Sequence, residues 1–209
     1  MPAFPPRHVP RGFTLVELLV TLAVAAILLG VAAPSFRDVV QRNRQESALY
    51  ALTGSLQLAR SEAIKRSTRV SVCARGAGDG VCGTSWSRGW QVFVDDGDTP
   101  GSVDAADGGG APVLRVVEAL ASGLRLGNTA QLNDSARIER PFVRFGPRGT
   151  SNWRGGGTFV LCIGDETETA RAVDVTLSGD VRHARRDGPD ASIDAFGQPL
   201  DCAPIAGAA

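Results

Sequence analysis

The sequence predicts an α+β protein in which one long N-terminal helix lies against one or two antiparallel sheets. Three observations predict it. An apolar run from Phe13 to Ala33 flows into a charged, periodic stretch that continues to Ser67. Past Ser67 the texture changes to short alternating segments broken by Gly, Pro and Asp. That second part shows neither strand–helix alternation nor an internal repeat, which favours antiparallel pairing. The boundaries that follow are a leader at 1–12, a membrane-length helix at 13–36, an amphipathic continuation at 37–67 and a β-rich globular part at 68–209.

The apolar run comes first. At 1.5 Å per residue, Phe13 to Ala33 covers about 30 Å, the hydrocarbon thickness of a bilayer. Arg7 and Arg11 precede it and place the N-terminus on the cytoplasmic side. A secretory signal peptide would have a shorter core with a small-residue cleavage site behind it. This run is too long, and its obvious small-residue stretch, "GVAAP", ends at Pro34. A plain signal anchor explains the length and the arginines but not Glu17. A lone carboxylate inside a bilayer is costly.

The residues around Glu17 read "RGFTLVELL", and this stretch resembles the processing signature of type IV prepilins and of the pseudopilins of type II secretion. Gly12, Phe13, Thr14, Leu15, Val16 and Glu17 all match in order and spacing, behind a short basic leader, "MPAFPPRHVPRG". The resemblance implies cleavage by a prepilin peptidase between Gly12 and Phe13 and N-methylation of Phe13. It also implies that Glu17 pairs with the amino terminus of a neighbouring subunit during assembly. Physics agrees with that role. A charge that is costly alone and less costly when paired acts as a docking and register device. The alternative is a Glu at the headgroup level, stabilised by the helix dipole.

Pro34 is expected to kink the helix, since it lacks an N–H and crowds the preceding turn. Beyond it, Val39, Val40, Leu49, Leu52, Leu56, Ala59, Ala63 and Ile64 form one apolar stripe, with a polar gap at 41–47. Such a stripe packs on a sheet; the heptads are too irregular for a coiled coil. The strands expected next are "RVSVCA", "WQVFVD", "VLRVVEA", "FVRFG", "TFVLCI", "RAVDVTL" and "VRHAR".

"WSRGWQVFVDDGD", "FGPRGTSNWRGGGTFVLC" and "VDVTLSGDVR" resemble, in that order, the successive strands of GspH/FimT-type pseudopilins and minor pilins. The resemblance implies a pilin-like fold. Trp86, Trp90 and Trp153 are expected to pack or to line a rim.

Composition narrows the chemistry. The 209 residues carry no net charge, so no bulk field draws the chain to nucleic acid or acidic lipid. Lys65 is the only lysine, and the arginine bias is read as compositional. With only His8 and His183, a His-based metal site or a Ser-His-Asp site is poorly provided for, and no GxSxG motif occurs. Cys73, Cys82, Cys162 and Cys202 form no CxxC pair, which speaks against zinc or thioredoxin chemistry. An even count behind a membrane-targeting segment points to disulfides in an oxidising compartment. Three connectivities are open. Cys73–Cys82 with Cys162–Cys202 is favoured, the first closing a Gly-rich loop and the second pinning the tail to a strand; free buried thiols are the alternative.

Two further clusters are candidate sites. The run "DDGDTPG" (Asp95, Asp96, Asp98) resembles a calcium loop: Asp96 and Asp98 fit its first two ligand places, but Pro100 takes the third and no Glu closes it, so a solvated turn and no metal are expected. Arg182, Arg185 and Arg186, with His183 between them, are candidate phosphate contacts. Some FimT-type minor pilins are thought to bind DNA through Gly-Arg-x-Arg near this strand. Here Gly179 is followed by Asp180, which would repel a phosphate, and a solvated edge strand is the favoured reading.

The function expected is that of a non-enzymatic minor pilin or pseudopilin with no cofactor. It sits in the bacterial inner membrane as a single pass with its C-terminal domain periplasmic. Its expected partners are prepilin peptidase, the membrane, other minor subunits and the major subunit, near the tip of a type II secretion pseudopilus or a type IV pilus. A DNA-binding minor pilin of a competence pilus is the alternative.

Overall fold

In the computed structural model, the structure describes residues 12–76, 81–97, 99, 101, 112–131, 137–184, 186–187, 191–194 and 197–202; for 31–35, 131, 137, 186–187 and 191–192 it describes the backbone only. The chain divides into two units, Met1–Arg42 and Asn43–Ala209.

One helix, α1 (Leu15–Arg66), is assigned without a break through position 34. It ends as a helix should: Lys65 and Arg66 occupy the last turn, where cations meet the negative end of the dipole. Ser67 takes a left-handed conformation at φ 52°, and Thr68 N–H donates to the Ala63 carbonyl at 3.2 Å.

In the second unit, β1 (Val70–Ala74), β2 (Trp90–Val94), β3 (Val113–Val117) and β6 (Phe142–Phe145) form an antiparallel sheet in the order β3-β2-β1-β6. A second antiparallel sheet has β4 (Leu124–Gln131), β5 (Arg137–Ile138), β7 (Gly157–Ile163), β8 (Glu166–Val175) and β9 (Val181–His183) in the order β5-β4-β7-β8-β9. A short hairpin, β10 (Arg186–Asp187) with β11 (Ala191–Ser192), follows. The expected α+β architecture, a long helix on two antiparallel sheets, is what forms.

Leu49, Leu52, Leu56, Ala59 and Ala63 of α1 enter one core with residues of both sheets. Val39 and Ile64, which the stripe included, are instead exposed. All three tryptophans are fully buried, so none lines a rim. Trp86 meets Phe159 edge-on at 4.7 Å, and its indole N–H donates to the Arg140 carbonyl. Trp153 lies against the same Phe159 at 5.2 Å.

The polar gap holds a core residue. Gln45 is buried, and its Nε2 donates to the carbonyls of Leu161 and Thr169, each at 2.9 Å. Those carbonyls flank the place where the β7–β8 register jumps between Leu161 and Ile163. A ladder that breaks leaves backbone groups without partners, and the glutamine amide supplies them from the helix.

The disulfides are Cys73–Cys82 and Cys162–Cys202. Among the described residues there is no free cysteine.

Candidate functional site

The first candidate is the start of α1. The first four N–H groups of a helix lack partners within it. Thr14 stands in the N-cap position, and its Oγ1 accepts the Glu17 N–H at 3.2 Å. The Thr14 carbonyl accepts the Leu18 N–H at 3.1 Å. Thr-x-x-Glu is the capping-box spacing, and Glu17 lies in the first turn, where the dipole favours a negative charge. Glu17 therefore has a local reason for its position, in addition to the docking role implied by the resemblance. Phe13 is 84% exposed, and Gly12, the residue before it, has open space where a Cβ would stand. The rest of the leader, 1–11, lies outside the described residues.

The apolar part of α1 in front of position 31 is about 24 Å long at 1.5 Å per residue. Among the described residues no helix is long and apolar enough to cross a membrane. A span of 13–36 depends on 31–35, whose side chains are outside the description.

The second candidate is the arginine cluster. Arg182 is exposed on β9, beside His183, whose ring meets Tyr50 edge-on at 6.1 Å. Arg185 lies outside the described residues, and of Arg186 only the backbone, in β10, is described. The described residues do not bring the three arginines together. They bring Asp180 to the helix instead. Its carboxylate accepts Arg60 Nη1 at 2.8 Å and the Ser178 hydroxyl at 2.9 Å, while Arg60 Nη2 donates to the Ser178 carbonyl. The Ser178 hydroxyl, and after it the Arg60 guanidinium, hold the Asp180 carboxyl below the usual carboxylate range. Gly179 is in the left-handed region at φ 78°, and a Cβ there would stand 1.8 Å from the Gly149 carbonyl oxygen. The Gly-Asp pair thus closes a packed junction of α1 with two turns, and the acid neutralises Arg60. Sequence reasoning missed Arg60, which reads as one more charge on the solvent face of the helix.

The third candidate, the aspartate loop, differs from expectation in one residue. Asp95 is fully buried, so this part of the loop is not a solvated turn. Its Oδ2 accepts the Ser71 hydroxyl at 2.5 Å and the Gly101 N–H at 3.0 Å, with Arg144 Nη1 at 3.7 Å. A carboxylate committed to a neighbouring guanidinium and to backbone anchors its own loop. Asp96 is exposed, and Asp98 and Pro100 are outside the described residues. Among the described residues no cluster of metal-ligating side chains occurs.

Residues 48–180 match the family model described as type II transport protein GspH, and residues 7–33 match the prokaryotic N-terminal methylation motif. The type IV minor pilin FimU of Pseudomonas aeruginosa is similar in structure, with 25% identity and a TM-score of 0.50 over 69% of this chain and 91% of that one. The minor pseudopilin EpsH of the Vibrio cholerae type 2 secretion system shows 14% identity and a TM-score of 0.44 over 67% of this chain and 95% of its own. Fimbrial protein EcpC of Eikenella corrodens is 38% identical over 56 residues, 27% of this chain and 36% of that protein. The match therefore spans about a third of that relative's length.

Proposed function

Because the chain belongs to the GspH family of type II transport proteins, we propose that it is a minor pilin-like subunit of a membrane-anchored fibre. It inserts in the inner membrane with its N-terminus cytoplasmic and its C-terminal domain periplasmic. Prepilin peptidase cuts it between Gly12 and Phe13 and Phe13 is methylated. The mature chain then joins other minor subunits and the major subunit, near the tip. The family and the fold are those of structural subunits rather than enzymes.

The single observation that carries this reading is the order of the two matches. The methylation motif at 7–33 precedes the GspH match at 48–180, and α1 (Leu15–Arg66) runs from within the first into the start of the second. The similarity to FimU, a type IV minor pilin, weighs for a pilus over a secretion pseudopilus. DNA binding is not favoured, since Asp180 stands where the arginine of the DNA-binding pattern would and is engaged with Arg60.

In the assembled fibre Glu17 pairs with a neighbour's Phe13 ammonium. Fibres sheared from cells test this. The mature chain is expected in the sheared fraction, and Glu17→Ala is expected to be processed but depleted there. Equal incorporation of Glu17→Ala would leave the carboxylate with its capping-box role alone; absence of the parent chain from every fibre fraction would overturn the reading.

A further inference from the structure

We propose that the Cys73–Cys82 disulfide is a reactive site for small thiols. A thiolate attacks Cys82, Cys73 leaves as a thiolate held by the Gln91 amide, and a reversible mixed disulfide forms on Cys82.

The four half-cystines differ in access. Cys73, Cys162 and Cys202 are 0% exposed. Cys82 is partly exposed, and Val81 beside it is 54% exposed. Thiol–disulfide exchange requires the attacking sulfur to reach one sulfur of the bond. Cys82 offers that approach, whereas the Cys162–Cys202 bond joins two fully buried residues.

Exchange also depends on the sulfur that leaves, since it departs with negative charge. Burial alone makes Cys73 a poor leaving group, because a low dielectric penalises the anion. Here a donor offsets that penalty. The β1–β2 register sets Gln91 opposite Cys73, which puts both side chains on one face of the sheet. Gln91 is 1% exposed, and its Nε2 donates to Cys73 Sγ at 3.5 Å and to Cys82 Sγ at 4.0 Å. A neutral sulfur accepts such a bond weakly, while a hydrogen bond to an ionised acceptor is about twice as strong as one between neutral groups. The amide therefore favours the thiolate over the closed disulfide. It lies nearer the sulfur that leaves.

The step balances without an oxidant. The incoming thiol loses its S–H proton and its sulfur bonds to Cys82 Sγ. The Cys73–Cys82 bond breaks, its electron pair goes to Cys73 Sγ, and Cys73 takes up a proton. The surrounding frame keeps the reverse step available. Cys73 lies in β1 between β2 and β6, and Cys82 is bridged to Arg75. Gly76 N–H donates to the Val81 carbonyl and Gly83 N–H to the Ala74 carbonyl. These bonds hold the two Cα atoms near their separation of 5.7 Å, so the Cys73 thiol can attack Cys82 and expel the small thiol.

Reaction of the full chain in detergent with reduced glutathione tests the site, followed by an acid quench, alkylation and peptide mapping. Glutathione is expected on Cys82 and the alkyl label on Cys73, with Cys162–Cys202 still joined as a sign that the chain is folded. Gln91→Leu is expected to slow adduct formation several-fold. Where that variant fails to fold, Gln91→Met, closer in shape to glutamine, removes the same donor. Glutathione on Cys73, opening of Cys162–Cys202 at the same rate, or no adduct before the chain unfolds overturns the proposal. An unchanged rate in the folded Gln91 variant overturns it as well, since the amide would then have no part in the step.

Discussion

In the first unit, Leu15, Val16, Leu18, Leu19, Val20 and Leu22 each stand more than half exposed; in the second, Leu49, Leu52 and Leu56 of the same helix are buried. The residue types are alike and the secondary structure is the same. What differs is where the cover comes from. The second unit covers its own leucines with Trp86, Phe159 and their neighbours. The first leaves a run of apolar side chains exposed to an extent that is rare on a monomeric soluble protein, and the proposed function covers it with lipid or another subunit. On the proposed function, a residue of the second unit reports on folding and a residue of the first on assembly.

That comparison is sharpest at its extremes. Phe159→Ala removes a ring between Trp86 and Trp153 and is expected to cost the globular unit about 3–5 kcal/mol. Leu22→Ala is expected to leave the same unfolding transition where it is. Urea melts of the full chain in detergent check both, and a large shift from Leu22→Ala would collapse the distinction.

Next in size is the junction at Gly179. Gly179→Ala forces a Cβ against the Gly149 carbonyl at positive φ and is expected to cost at least about 2 kcal/mol, read by the same melts. Gln45→Ala follows. It strips two backbone carbonyls at the β7–β8 break of their donor, and about 1–2 kcal/mol is expected to be lost. Gln45 also marks where the self-covering part of α1 begins, so a null result there would move that boundary towards Leu49.

The smallest effect is one of pH. Asp180 is held below its ordinary range in the folded state. Its contribution to stability is therefore complete above the unfolded aspartate pKa of about 3.9 and is lost as pH falls through the lower folded value. Asp180→Asn is expected to flatten the acid limb of a stability–pH curve measured from about pH 5 downward. An unchanged acid limb would mean that the Arg60–Asp180 pair contributes nothing.

The uneven cover also decides what can be read from sequence. The N-terminal methylation motif is legible because it is a short linear pattern that is read without any tertiary contact. Most strands are legible because β1, β2 and β7 are buried along nearly their whole length and read as apolar runs. β4 is not, and it was missed. Its inward positions include Asn128, buried because its amide pairs with the backbone of Arg140, and Gly127 beside it reads as a turn. Gln45 and Asp95 escape for the same reason: a polar residue is recognised as core only when its buried partner is known, and those partners lie far along the chain. The cysteine pairing favoured from sequence is the one the structure contains, because one pair closes a short loop and the other joins a strand to the tail.

The account stands on the claim that the first unit exists for assembly after processing, and the mass of the native chain tests it most directly. Membrane-extracted protein, measured intact and by fragmentation of its N-terminal peptide, is expected to lack residues 1–12 and to begin at Phe13 carrying one added methyl group, with Gly12→Ala retaining the leader. A native chain that begins at Met1, or one cut behind Ala33, would contradict it.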